Sequence, residues 1–142
     1  MMGFRVEWLY RDRVIFEQLY GDVTVGEIEA VAEALQTLAE AGQAPVHIIN
    51  DVRSLRKYPI NLKSIRQAVQ VPASSNLGWL VVIQNDNPLV RFIAATIAQL
   101  VITDLRMSSV KTPEEALRFL LSRDPSLDEA LLASVMPDAP ST

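Results

Sequence analysis

The chain opens on an alternation. Phe4, Val6, Trp8 and Tyr10 are apolar and lie on one side of an extended segment, with Arg5 and Glu7 between them. That is the period of a half-buried strand. After Arg11-Asp12-Arg13, residues Val14 to Tyr20 read as a second strand, and so short a connection allows only an antiparallel hairpin. Thr24-Val25-Gly26-Glu27 has the Thr-x-x-Glu form of a capping box. Ile28, Val31, Leu35 and Leu38 then repeat at helical spacing, opposite Glu29, Glu33, Gln36 and Glu40. Ala41-Gly42 ends this helix, with Gly42 expected in the left-handed position that often follows a helix. Pro45 to Asn50 is a short, β-branched run, the pattern of a buried parallel strand.

Asn61 to Gln70 predicts a short helix with Asn61 as its N-cap, and Leu77 to Ile83 another buried strand. Asn87-Pro88 places a capping residue before a proline at the first helical position. The apolar helix it opens runs to about Leu105, with Leu89, Phe92, Ile93, Ile97, Leu100 and Val101 as its core stripe. Met107 to Lys111 reads as the last strand. Thr112-Pro113-Glu114-Glu115 and Ser126-Leu127-Asp128-Glu129 read as second and third capping boxes. The third opens a C-terminal helix over 126–136, before a frayed tail at 137–142. The order β-β-α-β-α-β-α-β-α, plus one extra C-terminal helix, predicts an α/β fold: a mixed sheet with helices packed over it. The whole of 1–142 forms one domain, its core spanning about 4–123.

Composition narrows the chemistry. A chain of 142 residues, 49% hydrophobic and 21% charged, suits one globular domain. A net charge of −4 opposes nucleic-acid binding. With no cysteine and one histidine, thiol chemistry and sites needing two imidazoles are excluded, and no metal or cofactor is expected. His47 lies inside a predicted buried strand and reads as a core histidine. None of the serines sits in a Gly-x-Ser-x-Gly elbow, and the five glycines form no phosphate-binding loop. Without a credible acid–base pair the reading is non-enzymatic. Residues 1–7 carry charges where a signal peptide needs an apolar run. The longest apolar stretch, 89–105, is broken by Arg91, Thr96, Gln99, Thr103 and Asp104, so no transmembrane segment and a cytoplasmic protein are expected.

Charge is unevenly placed. Residues 1–51 hold three basic and nine acidic side chains, whereas 52–85 hold Arg53, Arg56, Lys57, Lys63 and Arg66 with no acid. A basic segment between the third strand and the next helix suits an acidic protein partner or a small anionic ligand, because ligands of α/β sheets favour that carboxyl edge. The candidate surface is Asp51, Arg53, Arg56, Lys57, Asn61, Lys63 and Ser64. An anionic or amphipathic small molecule held between the sheet edge and the long helix is the alternative.

The hairpin, the Thr24–Leu38 helix, Val46-His47-Ile48-Ile49-Asn50-Asp51, Gly78-Trp79-Leu80-Val81-Val82 and the Thr112–Leu120 ending together resemble SpoIIAA-like proteins of the STAS (sulfate transporter and anti-anti-sigma factor) fold. The resemblance implies a small mixed sheet with helices mainly on one side. It also implies a regulatory module that binds a kinase-like partner and is switched by phosphorylation of a serine at the start of the helix after the third strand. In the family that serine sits in an Asp-Ser-Ser-Gly-like turn, several residues after an aspartate that ends the third strand. Asp51 fits the aspartate. The turn here is Tyr58-Pro59-Ile60-Asn61, Ser64 lies a helical turn later and Ser54 too early, so the serine switch does not carry over. One-sided helices would leave an apolar sheet face uncovered. With the broad apolar surface of 89–105, that predicts a homodimer.

Overall fold

The computed structural model describes residues 3–57, 63, 76–101, 106–130 and 132, with the side chains of 94 and 97–101 excepted. Five strands form one sheet in sequence order: β1 (Phe4–Tyr10), β2 (Val14–Asp22), β3 (Val46–Lys57), β4 (Leu77–Ile83) and β5 (Arg106–Val110). β1 and β2 make the antiparallel hairpin, and every later pairing is parallel. Among the described residues three helices are delimited in full: α1 (Val25–Ala41), α2 (Pro88–Val101) and α3 (Pro113–Arg123). The helix predicted over 61–70 falls almost wholly outside the described residues, where only Lys63 is seen, in helical conformation. None of the described helices is long and apolar enough to cross a membrane.

Topology decides which face each helix covers. β2 to β5 pair consecutively in one direction, and right-handed crossovers then place their helices on the same face. Accordingly Val31 of α1 and Val90 of α2 share one core cluster with Leu19, Val52 and Leu55. α3 follows the last strand and is no crossover. Its Ala116 and Leu120 are buried on the opposite face against Phe16, Ile49, Val81 and Ile83, and Leu127 and Leu132 extend that cover. The expectation of one-sided helices is therefore corrected. The face that motivated the homodimer is covered by the chain itself.

Local chemistry accounts for the ends of the elements. Thr24 Oγ1 accepts from Glu27 N–H and Glu27 returns a carboxylate to Thr24 N–H, a complete capping box. Thr112 Oγ1 likewise accepts from Glu115 N–H, but Glu115 reaches back to Lys111 N–H instead, so the box there is half made. Ser126 does not cap the last helix. Its hydroxyl donates to Asp124, and the first helical bond runs from Leu132 N–H to Asp128 O, two residues later. Gly42 is extended (φ −86°) rather than left-handed. Glycine is required there by close approach, since a Cβ would lie 2.8 Å from Asp12 O, Trp8 and Val46. A bulge between Trp8 and Tyr10 splits the first alternation. Val6 and Trp8 pack toward α1, whereas Tyr10 joins the cluster beneath α3.

Candidate functional site

β3 runs to Lys57, seven residues beyond the run predicted as a strand. Two partners hold the extension. On one side β2 continues alongside, pairing Tyr20 with Ser54 and Asp22 with Lys57 through register shifts. On the other side β4 stops at Ile83, and a buried side chain takes its place. Asn85 Nδ2 donates to Val52 O at 2.8 Å and Leu55 O at 2.7 Å. Asn85 Oδ1 accepts from Asn87 N–H, and Asn87 Oδ1 caps α2 by accepting from Leu89 N–H at 2.9 Å. One asparagine thus ties the end of β3 to the start of α2.

Four of the residues expected to form the site, Asp51, Arg53, Arg56 and Lys57, are consequently on the extended strand. Asp51 is wholly buried and Arg53 grips it with both arms, Nε to Oδ1 at 2.9 Å and Nη2 to Oδ2 at 2.8 Å. Gln18 Nε2 adds a third side-chain donor at 3.1 Å. A bidentate pair of this kind fixes geometry as well as charge. It commits Asp51 and Arg53 to each other. Arg56 stands 3.6 Å from Asp22, and both are largely exposed, so the pair holds it loosely. Lys57 and Lys63 are exposed. Asn61 and Ser64 lie outside the described residues.

α2 departs from its predicted stripe. Val90 is buried beside Leu55, and Ile93 packs against the same cluster. Leu89 and Phe92, expected in the core, are 65% and 69% exposed. Of the first turns of the helix, Val90 and Ile93 thus face the sheet and Leu89 and Phe92 face outward. Beneath α2, a cleft of about 30 Å³ is lined by Asn50, Gln84, Asn85, Arg91 and Ser109. That is room for a water molecule or two.

Two polar residues on the same sheet face escaped the sequence reading. Glu17 of β2 and Asn50 of β3 are register partners. Glu17 is only 7% exposed, and burial pushes its carboxyl up to about 7. Asn50 Oδ1 is buried without a hydrogen-bond partner. The one visible signal was Glu17-Gln18 interrupting an otherwise apolar strand.

The opposite end of the sheet carries His47. Its Nδ1 accepts Trp79 N–H at 3.0 Å, which leaves the proton on Nε2 to bond Asp124 at 2.9 Å. Burial pushes the Asp124 carboxyl up, but hydrogen bonds from Ser126 and His47 and the charge of Arg13 outweigh it and hold it below the usual range. Arg13 Nη1 also reaches Ser126, and its Nε reaches Pro45 O. Both nitrogens of the histidine are engaged, as a core histidine requires. Among the described residues no cluster of acids and histidine could hold a metal.

These features define the architecture: a five-stranded mixed sheet with helices on both faces, the SpoIIAA-like form of the α/β class. A structure of the anti-sigma factor antagonist SpoIIAA in its unphosphorylated form superposes on it with a TM-score of 0.52. The match covers 84% of this chain and 96% of that one, at 16% sequence identity. No family model and no curated protein matches the sequence.

Proposed function

We propose that the protein is a non-enzymatic, STAS-like regulatory module that receives an acidic protein partner at the carboxyl edge of its sheet. The surface comprises Arg56, Lys57 and Lys63, the segment carrying Asn61 and Ser64, and the first turns of α2, with Asp51 and Arg53 as its rigid floor. The observation that carries this reading is the exposure of Leu89 and Phe92 on the helix whose Val90 packs in one cluster with Leu55, the residue before the exposed Arg56 and Lys57. Large apolar side chains ringed by charge are the composition of a protein-binding patch. Val90 between them is buried in the cluster that holds Leu55, so the helix that carries the patch and the basic strand end are packed through one core. SpoIIAA, whose fold this is, is described as an antagonist of an anti-sigma factor, which is a protein-binding role. A serine switch is no part of the proposal, because the turn that would hold it reads Tyr58-Pro59-Ile60-Asn61.

Photo-crosslinking in the native host tests the reading. A photoreactive residue in place of Phe92 should capture one protein that the same residue in place of Glu29, on α1, does not. Reversing Arg56, Lys57 and Lys63 to glutamate should abolish capture with the circular dichroism unchanged, and added salt should weaken it. Capture that survives the triple reversal, or a retained small anion in place of any protein, overturns it.

A further inference from the structure

We infer that β1 is a self-complementary edge through which two copies of the chain join their sheets, antiparallel, with Val6 facing Val6 of the second copy. The inference uses a surface distant from the carboxyl edge and stands or falls apart from the partner-binding reading.

β1 is the first strand of the sheet order, seven residues long, and pairs only with β2 among the described residues. Tyr20 N–H donates to Gly3 O at 2.9 Å. In an antiparallel ladder this fixes the parity. The Gly3 carbonyl and the backbone groups of Arg5 and Glu7 turn toward β2, and those of Phe4, Val6 and Trp8 turn outward. An edge of this length, unpaired among the described residues and with an apolar face, is a template for another strand.

Charge selects both occupant and register. The outward parity allows a second β1 to dock with Val6 opposite Phe4, Val6 or Trp8. The first places Arg5 opposite Arg5, and the last places Glu7 opposite Glu7. Only Val6 opposite Val6 sets each Arg5 against the Glu7 of the other copy, with Phe4 against Trp8 on the reverse face. Opposite charges and aromatic pairs directly across an antiparallel ladder are favourable, and like charges are not. Arg5 and Glu7 are each close to half exposed and already share one face, where they pair with each other within the chain.

The helix layer leaves room. A groove of about 400 Å³ runs between Val6 and the Ala30, Ala34 and Leu38 side of α1, with Glu33 and Thr37 on its rim. Strands close to about 4.8 Å, and the small side chains let two α1 helices pass at about 8–10 Å.

The test uses the full chain, which has no cysteine of its own. Arg5→Cys and Glu7→Cys proteins, oxidised as a mixture, should form the mixed disulfide, and either alone should stay uncrosslinked, because only the mixed pair falls within bridging distance. Light scattering on the unaltered protein should give twice 15.8 kDa. Arg5→Glu and Glu7→Arg should each raise the dimer dissociation constant about tenfold or more, and mixing the two should restore dimers. A repair of the pair within one chain could not produce that rescue on mixing. A mass of 15.8 kDa throughout the micromolar range overturns the inference, and that mass would leave the edge to a foreign strand. So does a dimer in which the Arg5→Cys and Glu7→Cys proteins, oxidised together, form no mixed disulfide, whether or not the charge variants fold.

Discussion

Replacing Glu17 with glutamine should stabilise the protein at pH 8 and flatten its stability from about pH 4.5 to pH 7. The carboxyl is buried beneath the helices, between Ile15 and Leu19 on its own strand and across from Val6 and Asn50. The described elements over this face present Ile28, Val31, Ala32 and Leu35 of α1 and Val90 and Ile93 of α2, with Arg91 lining the adjoining cleft. Burial raises the folded-state value from 4.5 to about 7. The folded protein therefore holds this proton over a range where the unfolded chain has released it. Stability is full below the unfolded value and is lost as pH rises through the folded one. At about 1.36 kcal/mol per pH unit the interval amounts to roughly 3 kcal/mol. Glutamine carries no charge to desolvate, and its amide offers a donor beside the unpartnered Asn50 Oδ1. Urea unfolding at half-unit steps from pH 4.5 to pH 8 measures it, with a midpoint gain for Glu17→Gln at pH 8 on the order of 1 M. A variant that keeps the parent's pH slope, or is less stable at pH 8, refutes the reasoning.

Thr112→Ala removes the side chain that caps α3 and should lower stability by ~1 kcal/mol, read as a fall in Tm of roughly 2–4 °C. Asn85→Ala leaves the carbonyls of Val52 and Leu55 unpaired. It should cost about 1–3 kcal/mol and speed hydrogen exchange over residues 52–57, while the start of β3 stays protected. Gly78→Ala would place a methyl 2.6 Å from His47 Nδ1, and should destabilise by about 1–3 kcal/mol with loss of the Trp79–His47 hydrogen bond, visible in the imidazole nitrogen shifts.

What the sequence made legible was whatever short-range periodicity encodes. The hairpin, α1 with its cap at Thr24, and the buried runs of β3 and β4 each announce themselves within a few residues. Residues 51–57 did not, because Asp-Val-Arg-Ser-Leu-Arg-Lys is locally polar. It becomes a strand through the tail of β2 and the side chain of Asn85, both about thirty residues away in sequence. Helical spacing likewise shows which side of 113–123 is apolar, not which sheet face it meets. That choice follows from α3 coming after the last strand. Leu89 and Phe92 belong to the predicted stripe and Val90 does not, yet Val90 is buried and they are exposed, because the line of contact with the sheet is set by the fold and not by helical spacing.

The two ends of the sheet use their polar residues differently, and that difference bears on where a partner goes. At the amino end, Arg13, His47, Asp124 and Ser126 satisfy one another, and the chain that follows α3 is fastened over them. Such a closed network has little unmet capacity to offer a ligand. At the carboxyl end the buried groups are also committed, Asp51 to Arg53 and Asn85 to the backbone, but their work is to extend and stiffen a strand. Beyond that support stand Arg56, Lys57, Leu89 and Phe92, exposed on elements whose positions are fixed from below. A surface held rigid before binding loses less freedom on association. The stiffened end is therefore where recognition is expected, and the fastened end is where stability is held.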